Sequence, residues 1–436
     1  MVAEEGSPMS LLAEAAAVLA EGPVCDACLG RCFADRSFGL TNGERGRGLR
    51  VAVALDADEP YETPGDCWVC EGETDRVDAW AERAVEAVDG VEFETYQVGT
   101  RVPPLIEEND AMLRDLAGLP EDAGEAFKSE LNREVGKRIG ETTGTTVDFD
   151  RPDVQFLLDL AADSVETRIN SAFVYGRYRK LERGIPQTEW PCRECHGSGT
   201  RAGEPCIYCD GTGYQYPESV EQLTTPPVVE AMDGTEATFH GAGREDIDAL
   251  MLGTGRPFVI EVDGPRRRFP DLDGLEESIR EFADGKVEVE GLRLATYEMV
   301  ERVKSLAASK TYRATVAFEE AADPDAFEAA LETLDGATIE QETPERVDHR
   351  RASKVRVRQV YDIDGELADE TTATVEIHGE GGLYVKELVS GDNGRTSPSL
   401  ADEVGVACHV TDLDVLAVEG EDQPFEDETY FREPPA

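Results

Sequence analysis

The stretch FHGAGREDIDALMLGTGRPFVIE, residues 239–261, decides how the second half of the chain is read. Glycines at 241 and 243 precede Arg244, Glu245 and Asp246, and a second glycine-rich turn ends at Arg256, just ahead of a strand-like run. Such a turn can hold one carboxylate close to a bound substrate backbone; it equally suits a capped loop with solvated acids. Two downstream segments bear on that choice. SKTYRA (309–314) sets Tyr312 beside two cations as a strand begins, and HGEGGLYVKELVSGDNGRTSPSL (378–400) sets Tyr384 two residues ahead of Lys386. Around them ATFHGAG, PFVIEV, TYRATVAFE, KVRVRQVYDI and TATVEIHG read as strands. The expectation is a β-rich α+β domain over 217–420, followed by a mobile acidic tail at 421–436.

Upstream the character changes. Residues 9–21 form a helix-like run stopped by Gly22 and Pro23. From Thr74 to Gly90, Val77, Trp80, Ala81, Ala84, Val85 and Val88 fall on one helical stripe with Asp75 as a cap. VEFETYQVG then reads as a strand, LIEENDAMLRDLAGL and 123–139 as helices, and 153–160 and 165–175 as consecutive strands. Strands alternating with helices predict a small α/β unit across 75–190.

Nine of the ten cysteines lie in three clusters: Cys25 and Cys28 with Cys32 close by, Cys67 and Cys70, and the array Cys192, Cys195, Cys206 and Cys209. Two residues between thiolates let both sulfurs face one tetrahedral ion, so 1–74 and 191–216 are predicted zinc-binding segments. Cys32 is a rival ligand in the first set; His196 and Cys408 are assigned none. Full thiolate ligation leaves no open coordination position, so zinc here is structural and catalysis lies elsewhere.

Over 436 residues the formal charge is −51, with 8 Lys against 34 Arg. That excludes simple polybasic nucleic-acid binding and resembles cytosolic proteins of salt-loving organisms. No apolar run approaches the roughly 20 residues of a membrane span, and the N-terminus lacks a basic region followed by an apolar one. The expectation is a cytoplasmic protein with no membrane partner. Two basic islands stand out: Arg346, Arg350, Arg351, Lys354, Arg356 and Arg358, and Arg177, Arg179, Lys180 and Arg183. Either they meet phosphate or they pair with the acidic bulk.

GREDID, KTYRA and GLYVKEL together resemble the motifs of pseudouridine synthases. VGTRVPP, KSELNREVGKR, YGRYRKLERGIPQTEWPC and ETPERVDHRRASKVRVR extend the likeness to the archaeal tRNA pseudouridine synthases of the Pus-ten family, in order from about residue 25 to 415. That resemblance implies an α+β multidomain protein: a zinc-binding N-terminal module, a THUMP-like α/β RNA-binding domain and a C-terminal pseudouridine synthase fold with a mixed sheet. It implies isomerisation of uridine 54 and/or 55 in the TψC arm of tRNA, without catalytic or nucleotide cofactor. Asp246 falls on the nucleophilic aspartate, with Asp248 as rival. Tyr312 falls on the tyrosine that stacks on the target base and is implicated in removing its C5 proton, and Tyr384 on a substrate-site tyrosine. Lys386 stands where several synthase families carry an arginine, and replaces a bidentate fork with one compact charge. Arg244 and Arg256 join the basic islands as RNA contacts. Two other readings stay open: another THUMP-type tRNA-modifying enzyme, although no GxGxxG loop is visible, and a non-catalytic zinc-dependent RNA-binding protein.

Overall fold

The computed structural model describes residues 10–344 and 354–434. It divides into two compact units, one ending at Asn170 and one beginning at Ser171. The described residues include no helix long and apolar enough to cross a membrane.

The first unit holds helices α1 (Leu11–Ala20), α2 (Asp26–Arg31), α3 (Asn42–Ala57), α4 (Val77–Glu86), α5 (Pro104–Leu116) and α6 (Phe127–Thr143). Its strands are β1 (Thr95–Arg101), β2 (Thr146–Val147), β3 (Val154–Asp159) and β4 (Ser164–Ile169). They form a sheet ordered β2-β1-β3-β4, with β1 parallel to β2 and β3, and β4 antiparallel to β3. On α4 the predicted stripe is buried through Trp80, Ala81 and Ala84. Asp75 does not cap it. A 3-10 turn at Glu73–Arg76 precedes the helix, and Glu73 instead accepts a 3.0 Å bond from the Trp80 indole. α3 does open on a capping box, Thr41 with Glu44.

The run 165–175, expected as one strand, breaks at Asn170, whose side-chain amide donates to Pro152 O at 2.7 Å. Past it the chain enters β5 (Ala172–Lys180), which pairs with strands of the second unit. Residues 171–190, expected with the α/β unit, therefore belong to the second unit, with 172–180 built into its sheet. Only pairing with strands some seventy and more residues away distinguishes the two placements.

After β5 come a short hairpin, β6 (Thr200–Arg201) and β7 (Glu204–Pro205), then α7 (Val220–Met232), β8 (Glu236–Gly241), β9 (Met251–Asp263), α8 (Leu272–Phe282), β10 (Val287–Ala295) and α9 (Tyr297–Ser305). The remainder is β11 (Ala308–Phe318), α10 (Pro324–Leu334), β12 (Thr338–Glu342), β13 (Val355–Asp369), β14 (Thr372–Gly379), α11 (Val385–Ser390), β15 (Thr396–Ser397), α12 (Leu400–Val404) and β16 (Cys408–Gly420). The sheet runs β10-β5-β9-β16-β11-β14-β13-β12-β15, with β8 also on β9. Its pairs are antiparallel except β9 with β16, which run parallel in register Met251↔Val415 and Gly255↔Ala417. That seam divides the sheet into two halves, each with its own apolar core, and Tyr312 on β11 packs against both. At the seam Gly253 has φ +54°, and a Cβ there would stand 2.2 Å from Leu416 O, so only glycine fits.

The expected mobile tail is folded over its described residues, 421–434. Phe425 is fully buried, Arg302 Nε donates to its carbonyl at 3.0 Å, and Phe431 bridges to Ala295. The aromatics at 425, 430 and 431 give this acidic stretch an apolar side to bury.

Candidate active site

The loop joining β8 to β9 carries the GREDID motif, and its backbone is held from below at several points. Arg256 Nη1 donates to Ala242 O at 2.8 Å, Gln187 Nε2 to Gly243 O at 2.8 Å, and Arg183 Nη1 to Asp248 O at 2.6 Å. Lys180 Nζ reaches both Asp246 O and Ile247 O at 3.3 Å. Beneath the loop the Glu245 carboxylate is sealed from solvent: its Oε2 lies 2.9 Å from Arg256 Nε and accepts the Tyr178 hydroxyl at 2.9 Å, and its Oε1 lies 3.7 Å from Lys180 Nζ. Buried charge needs such pairing. Burial holds the Lys180 ammonium below its ordinary value, against the pull of Glu245.

One residue on, Asp246 faces outward with 54% of its side chain exposed, its Oδ2 3.3 Å from Lys386 Nζ. The same ammonium lies 3.8 Å from Asp248, which is 78% exposed. A compact ammonium can serve both acids, and Asp246 is the nearer and more enclosed. Tyr312 from β11 and Tyr384, at the N-terminal end of α11, wall the same cavity of about 680 Å³. Burial pushes the Tyr312 phenol up to about 12, the Asp246 charge adding to this and Arg256 opposing it. The Tyr384 backbone is clamped by Gln341, whose amide gives and accepts bonds of 3.0 and 2.9 Å, and Arg356 stands 5.7 Å from its ring.

Thus Asp246, Tyr312, Tyr384 and Lys386 meet in one cleft. Glu245, Gln187 and Trp190 were missed. Trp190 lines the cavity at the foot of the second cysteine array, with the exposed Arg244 guanidinium 5.8 Å from its ring. Two buried cations beside the motif, had they been recognised, would have demanded an anion such as Glu245.

The predicted RNA contacts separate. Lys180 and Arg256 are 0% and 1% exposed and hold the loop, so neither can reach a phosphate. Arg177 is bound to Glu419 and Glu426 at 2.9 and 2.7 Å, and Arg179 to Glu288 and Glu290 at 3.1 and 3.2 Å. This island is absorbed by acids across neighbouring strands, correcting its reading as an RNA footprint. Arg244 and Lys354 remain exposed. Arg346, Arg350 and Arg351 lie outside the described residues.

Both cysteine sets close into tetrads, Cys25, Cys28, Cys67 and Cys70, and Cys192, Cys195, Cys206 and Cys209, with the four sulfurs of each within 4.8 Å of one another. Cys25 and Cys70 are 3.8 Å apart and Cys195 and Cys209 3.7 Å. A tetrahedral ion with metal–sulfur bonds of about 2.3 Å sets its ligands about 3.8 Å apart, so each tetrad can hold one metal ion. Cys32 stands outside, its thiol turned to Cys28 O at 3.4 Å. In the second tetrad Gly213 has φ +86°, and a Cβ there would stand 2.5 Å from Gly197 O.

With this geometry in place, comparison with known proteins identifies the family. The profile described as "Pus10, C-terminal" matches residues 173–419, and that described as "Pus10 THUMP domain, archaeal" matches 80–159. The tRNA pseudouridine synthase Pus10 of Halorubrum lacusprofundi is 66% identical over 98% of this chain and 100% of that protein. The chain belongs to the Pus10 family of tRNA pseudouridine synthases. Pus10 of Methanothrix thermoacetophila is 43% identical over 94% of this chain and 95% of its own, and Pus10 of Methanothermobacter marburgensis 42% over 92% and 96%. Membership in the Pus10 family makes the chain a pseudouridine synthase, an isomerase, and identifies a THUMP domain in its first unit.

Proposed function

We propose that the protein isomerises uridine in the TψC arm of tRNA, at position 54, 55 or both, with Asp246 as the reacting carboxylate. The observation that carries this reading is the convergence of Asp246, Lys386, Tyr312 and Tyr384 on one cleft from three separate segments. The reaction breaks N1–C1′, turns the base, joins C5 to C1′ and moves a proton from C5 to N1, with no redox change and no water consumed. Asp246 adds to the sugar or stabilises its developing cation, and Lys386 offsets the carboxylate charge beside it. Tyr312, neutral at physiological pH, serves as a relay: its hydroxyl gives a proton toward N1 and takes one from C5, ending the turnover as it began. Its ring face holds the freed uracil. A uridine folded into the arm must flip out to enter.

The THUMP domain match at 80–159 supports tRNA docking by the first unit, with the exposed Arg244 and Lys354 as phosphate contacts in the second. Thiolate tetrads favour zinc, one structural ion each, and leave no open position for chemistry. The setting is the cytoplasm, where tRNA is matured and thiols stay reduced. Treating an unmodified tRNA transcript with the protein and mapping carbodiimide adducts by primer extension tests the assignment. Stops at 54, 55 or both are expected; a transcript with neither stop contradicts it.

A further inference from the structure

A second cavity, of about 390 Å³, opens on the other side of the GREDID loop, lined by Ala242, Gly243, Lys304, Lys310 and Arg358 among others. Lys310 and Tyr312 lie two residues apart on β11, so their side chains share a face about 7 Å apart along the strand. No hydrogen bond or ion pair reaches Lys310 Nζ among the described residues, whereas burial and the charge of Arg256 push its ammonium down to about 8, with Glu421 acting in opposition. The two acids of this cavity are already engaged. Glu421 accepts the Gly381 N–H at 2.8 Å, and Glu380 pairs with Arg358 at 3.0 Å while accepting the Gln359 N–H at 3.1 Å. Arg358 Nε is buried without a hydrogen-bond partner. An ammonium without a partner and a guanidinium with one unpaired N–H, both partly buried in a chain of net charge −51, describe a place awaiting an anion.

We propose that this cavity is a phosphate site, in which Lys310 and Arg358 grip a backbone phosphodiester of the RNA strand whose flipped uridine occupies the neighbouring Asp246 cleft. This rests on the tRNA reading above; the chemistry itself, a tetrahedral oxyanion on an ammonium and a guanidinium, is shared with free phosphate. Gripping the strand on one side of the loop while its base enters on the other would fix the sugar over Asp246.

Lys310 can be followed directly by amine-selective acylation at pH 8 with mass-spectrometric readout, since the chain has only 8 lysines. Saturating tRNA should slow labelling of Lys310 about tenfold or more, and inorganic phosphate should slow it relative to chloride at equal ionic strength. Protection by phosphate but not by demonstrably bound tRNA, or protection by neither, overturns the proposal. Protection by tRNA in a protein that forms no pseudouridine would retain the site and reject the reaction, so the two readings fail separately. In the same buffers, Lys310→Gln should lower the slope of log affinity for tRNA against log salt by about one, with Lys310→Arg restoring it; an unchanged slope overturns the assignment.

Discussion

Glu245 and Asp246 are chemically alike and adjacent, yet the loop turns one inward and one outward. Glu245 is sealed between Arg256, Tyr178 and Lys180, so Glu245→Ala leaves two buried cations uncompensated. It should cost about 3–5 kcal/mol in denaturant unfolding; a loss below about 1 kcal/mol would show that the cations repack. Tyr312 makes a different demand. Its phenol ionises only near 12, so it adds no limb to the pH–rate profile between about pH 6 and 9. Tyr312→Phe keeps the ring, so tRNA affinity should hold while single-turnover isomerisation slows by about 100-fold or more. A slowed rate with equally weakened affinity would assign the residue to binding alone. These residues were legible to different degrees. Asp246, Tyr312, Tyr384 and Lys386 announce themselves through motif context. The burial of Lys180 was also readable, since it shares strand parity with Val174 and Tyr178 on β5, whose pattern alternates inward and outward. Arg256 carried no such signal, because Gly255 and Pro257 flank it and the run from 255 to 260 is buried without alternation.

At the scale of elements, cysteine spacing is a local code and the tetrads follow from it, whereas strand pairing is not local. The break at Asn170 and the parallel seam of β9 with β16, residues some 160 apart in register, depend on partners that no window of sequence contains. The site lies at that seam, so its residues were legible but their meeting place was not. Two tetrads predict two zinc ions per chain by elemental analysis of the purified protein; one ion would mean that a tetrad stays reduced and empty. Cys206→Ser should remove one ion. Because Gln215 N donates to Trp190 O at 2.8 Å and Cys192 N to Gly213 O at 2.7 Å, that loss should loosen Trp190, read as a change in its fluorescence.

For the whole molecule, a net charge of −51 makes the folded chain repel itself, and salt relieves this as the screening length falls from about 10 Å at 0.1 M to about 3 Å at 1 M. The unfolding midpoint should therefore rise with KCl over that range, and a flat or falling midpoint would show that ion pairs lost to screening outweigh the repulsion relieved. The same screening weakens long-range attraction to RNA, so on the proposed reading recognition rests on shape, stacking and enclosed contacts such as those of the Asp246 cleft. The most direct measurement compares wild type and Asp246→Asn in single-turnover pseudouridine formation, with tRNA affinity and unfolding measured alongside. The variant should bind tRNA and unfold as the wild type does, because Asp246 is exposed, yet form no pseudouridine; a variant that still isomerises uridine would remove the carboxylate from the centre of the reaction.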